Sequence, residues 1–242
     1  MRPFWRNLVD AALDLMYPPR CIVCGEVLPF GLADAVCTTC GKLLPPAPER
    51  ACNICGRTLH TDDEVCVDCA AESFTFTRCF TLYPYTEEVS RMILRYKGSG
   101  HAAAAKGIAA LLYARFPAES LPAADIVLPV PGHAHKTRER GFSQTALLAK
   151  AYAALCSLPY DADTLYAARE TLKQSSLRAE ERRSNVRDAY AVRNLMAVEG
   201  KTVLVLDDVF TTGATMDACA KALVDAGAKA VYGMTVAASL RE

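Results

Sequence analysis

From residue 78 onward, short runs of Val, Ile and Leu alternate with stretches whose apolar residues recur every three or four positions. The short runs predict strands over 79–83, 125–130, 164–168, 189–192, 202–206 and 230–235. The longer-period stretches predict helices over 87–96, 102–115, 143–155 and 215–226. Strand and helix in turn predict an α/β fold, a parallel sheet flanked by helices, with ligands held outside the carboxyl ends of the strands. Ahead of this body the pattern changes. Phe4, Trp5, Leu8, Val9, Ala12, Leu13 and Met16 recur at helical spacing, and Pro18-Pro19 ends the run, so residues 1–18 are expected to form a short helix. Its polar face is not basic, which favours packing on the body over a membrane-surface role.

Between these two parts lie the cysteines. Eight of the eleven fall in four CxxC pairs, Cys21/Cys24, Cys37/Cys40, Cys52/Cys55 and Cys66/Cys69. Chance placement would give about half of one such pair in the whole chain. The gaps between pairs are twelve, eleven and ten residues, the spacing of zinc ribbons. Zn²⁺ takes four thiolates tetrahedrally, and each CxxC supplies two of them from one tight turn. Gly25, Gly41 and Gly56 follow three of the pairs, and Ala70 follows the fourth. A disulfide framework needs an oxidising compartment, to which nothing in the chain directs it, and redox pairs would not come four together. Two structural zinc ions are expected, with the first four cysteines on one and the second four on the other. Residues 19–72 then form a double zinc ribbon, stapled by metal because so short a segment buries little core. Cys79, Cys156 and Cys219 are expected to be small core residues.

Composition narrows the picture further. At 242 residues, 52% hydrophobic and 22% charged, the chain is long enough for one or two domains and is no disordered protein. No uncharged apolar run approaches the ~20 residues that span a bilayer. Asp10 and Asp14 interrupt the first apolar stretch, so no secretory leader is expected and the cytoplasm is the expected location. Lysine and arginine balance aspartate and glutamate at 27 each, which argues against an autonomous polyanion binder. Residues 1–80 carry a net charge of −3, better suited to protein docking than to gripping phosphate, and the rest carries +3.

The most informative segment is Val203-Leu-Val-Leu-Asp-Asp-Val-Phe-Thr-Thr-Gly-Ala-Thr215. An apolar strand ends in two adjacent carboxylates, and a Thr/Gly loop opens the next helix. The N–H groups and hydroxyls of Thr211, Thr212, Gly213, Ala214 and Thr215, at a helix N-terminus, form an expected cradle for a phosphate. No Walker A pattern is present. Acids beside a phosphate cradle point to one ligand with both phosphate and hydroxyls, such as a sugar phosphate.

These residues resemble the phosphoribosyl-pyrophosphate (PRPP) signature of type I phosphoribosyltransferases. The whole chain resembles the competence protein F (ComF) family, in which a double zinc ribbon precedes a phosphoribosyltransferase-like domain, here residues 78–242. Arg95-Tyr-Lys-Gly98, Leu128-Pro-Val-Pro131, Arg138-Glu-Arg-Gly-Phe-Ser-Gln144, Thr171-Leu-Lys-Gln-Ser-Ser-Leu177 and Glu181-Arg-Arg-Ser-Asn-Val186 read like motifs of that family. Ser143, in place of the more usual Asn, and Phe210 depart from it. The resemblance implies that Asp207 and Asp208 hold the ribose hydroxyls and that Thr211 to Thr215 hold the 5′-phosphate. It implies a pyrophosphate loop at Val130, Pro131, Gly132 and His133, a mobile loop over 169–187, and an acceptor hood near 78–100. Mg²⁺, Lys136, Arg138, Arg182 and Arg183 would balance the diphosphate. His133 and His135, without nearby acids, are poor zinc ligands. Transfer at C1′ would need positioning and charge stabilisation rather than a protein nucleophile. The family also implies a part in natural transformation. The alternatives to a PRPP-dependent transferase are therefore a non-catalytic factor that handles single-stranded DNA or competence proteins, and a zinc-ribbon adaptor.

Overall fold

The computed structural model describes residues 18–29, 35–46, 48–99, 102–132, 143–168 and 189–239. The expected helix over 1–18 therefore lies outside the described residues, apart from Pro18.

The body is built on a four-stranded parallel sheet of β1 (Arg78–Pro84), β2 (Ile126–Pro129), β5 (Thr202–Phe210) and β6 (Ala230–Ala238), in the order β1-β6-β5-β2. Strand faces alternate, so β5 shows Leu204 and Leu206 to one side and Val203 and Val205 to the other. The first side is covered by α3 (Glu87–Ser99), α4 (Ala102–Arg115) and α5 (Gln144–Cys156), whose Met92, Ile93, Ile108, Leu112 and Leu148 are fully buried. On the second side α6 (Ala214–Asp225) contributes Met216, Cys219 and Leu223. Burying each such side chain stabilises the fold by roughly 1.5–3 kcal/mol, which is why the two apolar layers fix the sheet. Cys79 and Cys219 are buried in the core as expected, while Cys156 is half-buried at the end of α5.

The two largest differences from the sequence expectation concern strands. The strands expected over 164–168 and 189–192 are β3 (Leu165–Ala167) and β4 (Tyr190–Val192), which pair antiparallel with each other in a separate ribbon. Both are three residues long and carry few buried apolar side chains, too little to enter a sheet covered on both faces. Strand β5 also runs four residues past the expected end at 206, because Asp207, Val209 and Phe210 stay in register with Thr235, Ala237 and Ala238 of β6.

Both edges of the main sheet are covered. Against β1, the Cys79 N–H donates to the Ile54 carbonyl at 2.6 Å. Against β2, Tyr160 forms a parallel bridge to Val127, with the Val127 N–H on the Pro159 carbonyl at 2.8 Å.

The cysteine-rich segment repeats one small plan twice. A bridge joins Arg20 to Val27 in the first copy and Ala51 to Thr58 in the second. Short helices, α1 (Thr38–Leu43) and α2 (Val67–Ala70), carry the second knuckle of each copy. Gly25 (φ +81°) and Gly56 (φ +71°) make the left-handed turn behind the first knuckle, which glycine adopts without steric cost.

Candidate functional site

The eight ribbon cysteines gather as two groups in chain order. Cys21, Cys24, Cys37 and Cys40 form one, and Cys52, Cys55, Cys66 and Cys69 the other, with the sulfurs of each group within 4.8 Å of one another. Sulfurs at ~2.3 Å from one tetrahedral ion lie about 3.8 Å apart. Cys24 Sγ and Cys37 Sγ are 3.8 Å apart, and Cys55 Sγ and Cys66 Sγ 3.7 Å. Backbone N–H groups already point at the sulfurs: Cys37 N–H donates to Cys21 Sγ, and Cys66 N–H to Cys52 Sγ, both at 3.3 Å. Burial opposes ionisation of Cys21, but the amides of Cys24, Cys37 and Val23 outweigh it and hold the thiol down at about 6. Donor set, spacing and hydrogen bonds fit two structural Zn²⁺ ions.

The second group of chemical side chains sits at the carboxyl end of β5. Alternation along the strand sends Asp207 and Asp208 to opposite faces. Asp207, Thr211, Gly213, Thr215 and Thr235 line one recess, beside Met216 of α6. The Asp208 N–H donates to Asp207 Oδ1 at 2.8 Å. Burial, followed by the Asp208 charge, pushes the Asp207 carboxyl up to about 7. On the other face, Asp208 Oδ2 is paired with Lys97 Nζ at 2.5 Å. Lys97 lies at the end of α3, which is fastened to α5 from both sides. The Tyr96 hydroxyl donates to the Gln144 carbonyl, and Gln144 Nε2 donates to the Lys97 carbonyl at 3.0 Å. Burial, with the Asp208 charge adding to it, pushes the Tyr96 phenol up and keeps it a donor.

The Thr/Gly loop turns tightly over the aromatic side chains behind it. Gly213 caps α6 at φ +81°, and a Cβ there would come within 2.7 Å of Phe210 Cζ and 2.9 Å of Phe74 Cε1. Thr212 Oγ1 accepts from the Ala214 N–H at 3.4 Å. Behind the loop, Phe210 meets Phe76 edge-on at 6.1 Å, and Phe74 stacks on Phe76 at 4.8 Å. Beside β5, the Val130 N–H donates to the Leu206 carbonyl at 2.8 Å and Thr145 Oγ1 donates to the Val130 carbonyl at 2.7 Å. Ser143 caps α5 by accepting from the Ala146 N–H at 3.3 Å, the part an Asn would also play. The start of the turn through Pro131 and Gly132 is thereby anchored next to the acids. His133, Lys136, Arg138, Arg182 and Arg183 lie outside the described residues.

Two residues near the loop and acids were not singled out for a role in the sequence. Lys97 stood within a recognised motif, but nothing local pairs it with Asp208. Arg57 follows the knuckle glycine of the second ribbon and donates from Nη2 to the Thr211 carbonyl. Its only sequence signal was a basic residue beside a cysteine knuckle, which Lys42 after Cys40-Gly41 also is.

The chain matches the double zinc ribbon domain family over residues 12–70 and the phosphoribosyl transferase domain family over residues 146–241. It is 26% identical over 222 residues to the DNA utilization protein YhgH of Salmonella typhi, which is 90% of this chain and 96% of that one. Competence protein F of Haemophilus influenzae is 25% identical over 217 residues, 88% of this chain and 93% of that one. Among solved structures, that of the allosteric regulatory enzyme of purine biosynthesis aligns with 54% of this chain and 25% of its own, at 25% identity and a TM-score of 0.37. Among the described residues no helix is long and apolar enough to cross a membrane. The chain is a homologue of these competence and DNA-utilization proteins, and it joins a double zinc ribbon to a phosphoribosyltransferase-type domain.

Proposed function

We propose that the chain binds PRPP with Mg²⁺ at the carboxyl end of β5, within a domain spanning residues 78–242 that the ribbon of residues 19–72 buttresses. The observation that carries this reading is the Asp207 carboxylate sharing a recess with a left-handed Thr/Gly turn at a helix N-terminus, with Asp208 beside it on the strand and paired with Lys97. In this reading Asp207 and Asp208 accept hydrogen bonds from the ribose hydroxyls. The amides and hydroxyls of Thr211, Thr212, Gly213, Ala214 and Thr215 hold the 5′-phosphate. Val130, Pro131 and Gly132, with His133, Lys136, Arg138, Arg182 and Arg183, face the diphosphate and its Mg²⁺. Lys97 keeps the charge on Asp208 in balance until the ligand arrives. If a phosphoribosyl group is transferred, these residues position C1′ and stabilise the charge on the departing pyrophosphate.

Calorimetric titration of PRPP and Mg²⁺ into the wild type and an Asp207→Ala/Asp208→Ala variant tests the reading. Binding by the wild type, lost in the variant, is expected. No binding by folded, zinc-loaded wild type would sink it.

A second reading is favoured by the relatives' names, which speak of DNA utilization and competence. Here the chain is a cytoplasmic factor that handles single-stranded DNA or competence proteins, with PRPP as a regulator. Single-strand binding measured against salt, with and without Mg-PRPP, discriminates. A steep salt slope that the ligand shifts supports it, and no binding at low salt removes it.

A further inference from the structure

The second ribbon reaches into the site through one side chain. Arg57 follows Cys55-Gly56, and its carbonyl accepts from the Cys52 N–H at 2.8 Å, so its backbone belongs to the knuckle. Its side chain is 10% exposed, with Nη1 on Asp68 Oδ2 at 2.6 Å. Asp68 lies between the ligands Cys66 and Cys69, so the guanidinium is held between the two knuckles of one metal site. Nη2 donates to the Thr211 carbonyl and lies 3.5 Å from Ser239 Oγ, while the guanidinium carbon sits 5.6 Å from the centre of the Phe210 ring. Ser239 Oγ donates to the same carbonyl at 3.3 Å. Among the described residues the buried Nε, like that of Arg78, meets no acceptor.

The pull on Thr211 has a geometric consequence. No cis peptide occurs among the described residues, and in a trans peptide the C=O and the following N–H point in opposite directions. Drawing the Thr211 carbonyl back toward Arg57 therefore turns the Thr212 N–H away from Arg57. The first ribbon has no counterpart. At the matching position it carries Glu26, which is exposed.

We propose that Arg57 is a positioning residue for the phosphate loop, and that the second ribbon, through it, sets the affinity of this site for a sugar 5-phosphate. The inference rests on the phosphate-site reading above and adds to it which residue holds the loop ready.

The test uses the full-length protein as wild type, Arg57→Ala, Arg57→Lys and Glu26→Ala. Each is titrated calorimetrically with Mg-PRPP, ribose 5-phosphate and pyrophosphate, and each is assayed for zinc. With two zinc ions per chain retained, Arg57→Ala is expected to weaken PRPP and ribose 5-phosphate about tenfold or more, the scale of a charge-assisted hydrogen bond. Pyrophosphate binding, which does not use this loop, is expected to stay unchanged. Arg57→Lys should fall between the two, since one ammonium cannot serve Asp68 and Thr211 as a planar fork does. Glu26→Ala should behave as wild type. Should Arg57→Ala lose zinc, Arg57→Lys decides by the same criteria. Wild-type affinity in a zinc-loaded Arg57 variant overturns the inference alone, as does an equal loss for all three ligands, which marks a merely structural role. Failure of the wild type to bind PRPP and ribose 5-phosphate overturns the phosphate-site reading and this inference with it.

Discussion

Cys21-x-x-Cys24-Gly25-Glu26 and Cys52-x-x-Cys55-Gly56-Arg57 fold through the same hydrogen bonds but meet different surroundings. In the first, Cys24 is exposed and Gly25 looks onto the guanidinium of Arg95. In the second, Cys52 and Cys55 are fully buried, and a Cβ on Gly56 would lie 2.7 Å from both the Cys79 carbonyl oxygen and the Thr81 nitrogen. Thr81 Oγ1 donates to the Cys55 carbonyl at 2.9 Å and lies 3.0 Å from Thr235 Oγ1, the strand neighbour of Asp207. One plan thus yields one ribbon packed through Ile22, Val23 and Leu28 on the helical layer and one grafted onto the sheet and its loop. The difference lies in what each knuckle touches, not in how it holds metal.

The largest separation between the two should come from removing a ligand. Cys24→Ser and Cys55→Ser are each expected to lose one zinc, but Cys55→Ser should lower the unfolding midpoint of the whole body by far more, because its knuckle supports β1. Metal content and thermal unfolding check this, and equal losses would erase the distinction. Next, Gly56→Ala should cost well over the roughly 1–2 kcal/mol of left-handed strain expected for Gly25→Ala. In the second ribbon the methyl meets fixed backbone, and in the first a movable side chain. Denaturant titration of both variants measures the gap. Thr81→Val should cost about 1–3 kcal/mol, since it strips the Cys55 carbonyl and Thr235 of a buried partner.

A smaller effect follows from Asp207. Its folded pKa of about 7 lies above its ordinary value of 3.8, so the folded state binds a proton that the unfolded state releases. Stability of the ligand-free protein should therefore fall as pH rises from about 4 to about 7 and level off above that. Asp207→Asn should flatten that slope, as urea unfolding at several pH values would reveal. The smallest contrast lies within the second ribbon. Asp62 pairs with Arg50 in open solvent, with 95% of its side chain exposed, and Asp62→Ala should change unfolding and ligand affinity immeasurably.

The elements of the body were readable because each buries an apolar face whose period its sequence must keep. The bounds of α4 match the expected 102–115, and those of the other three helices lie within three residues. The ribbon cysteines were readable because metal chemistry fixes both residue type and spacing. The end of β5 was not. Two aspartates look like the close of a strand until Thr235 is seen opposite Asp207. Neither were Lys97 and Arg57, because their partners Asp208 and Thr211 come from distant parts of the chain, and pairing of that kind leaves no local period. Phe210, noted only as a departure, is explained by Phe76 and Arg57 packing on it.

The contact between Cys79 and Ile54 also bears on how the protein could fail. A bare edge strand is a template for further strands from other molecules, and parallel sheets are slow to assemble. Here the second ribbon occupies the β1 edge and the segment around Tyr160 occupies the β2 edge. Loss of zinc from the second site would free the β1 edge, whose outward N–H and C=O groups would then lack partners from the ribbon. Zinc bound there would in this sense guard against aggregation, and newly made chains that fold before meeting it would be the ones most exposed.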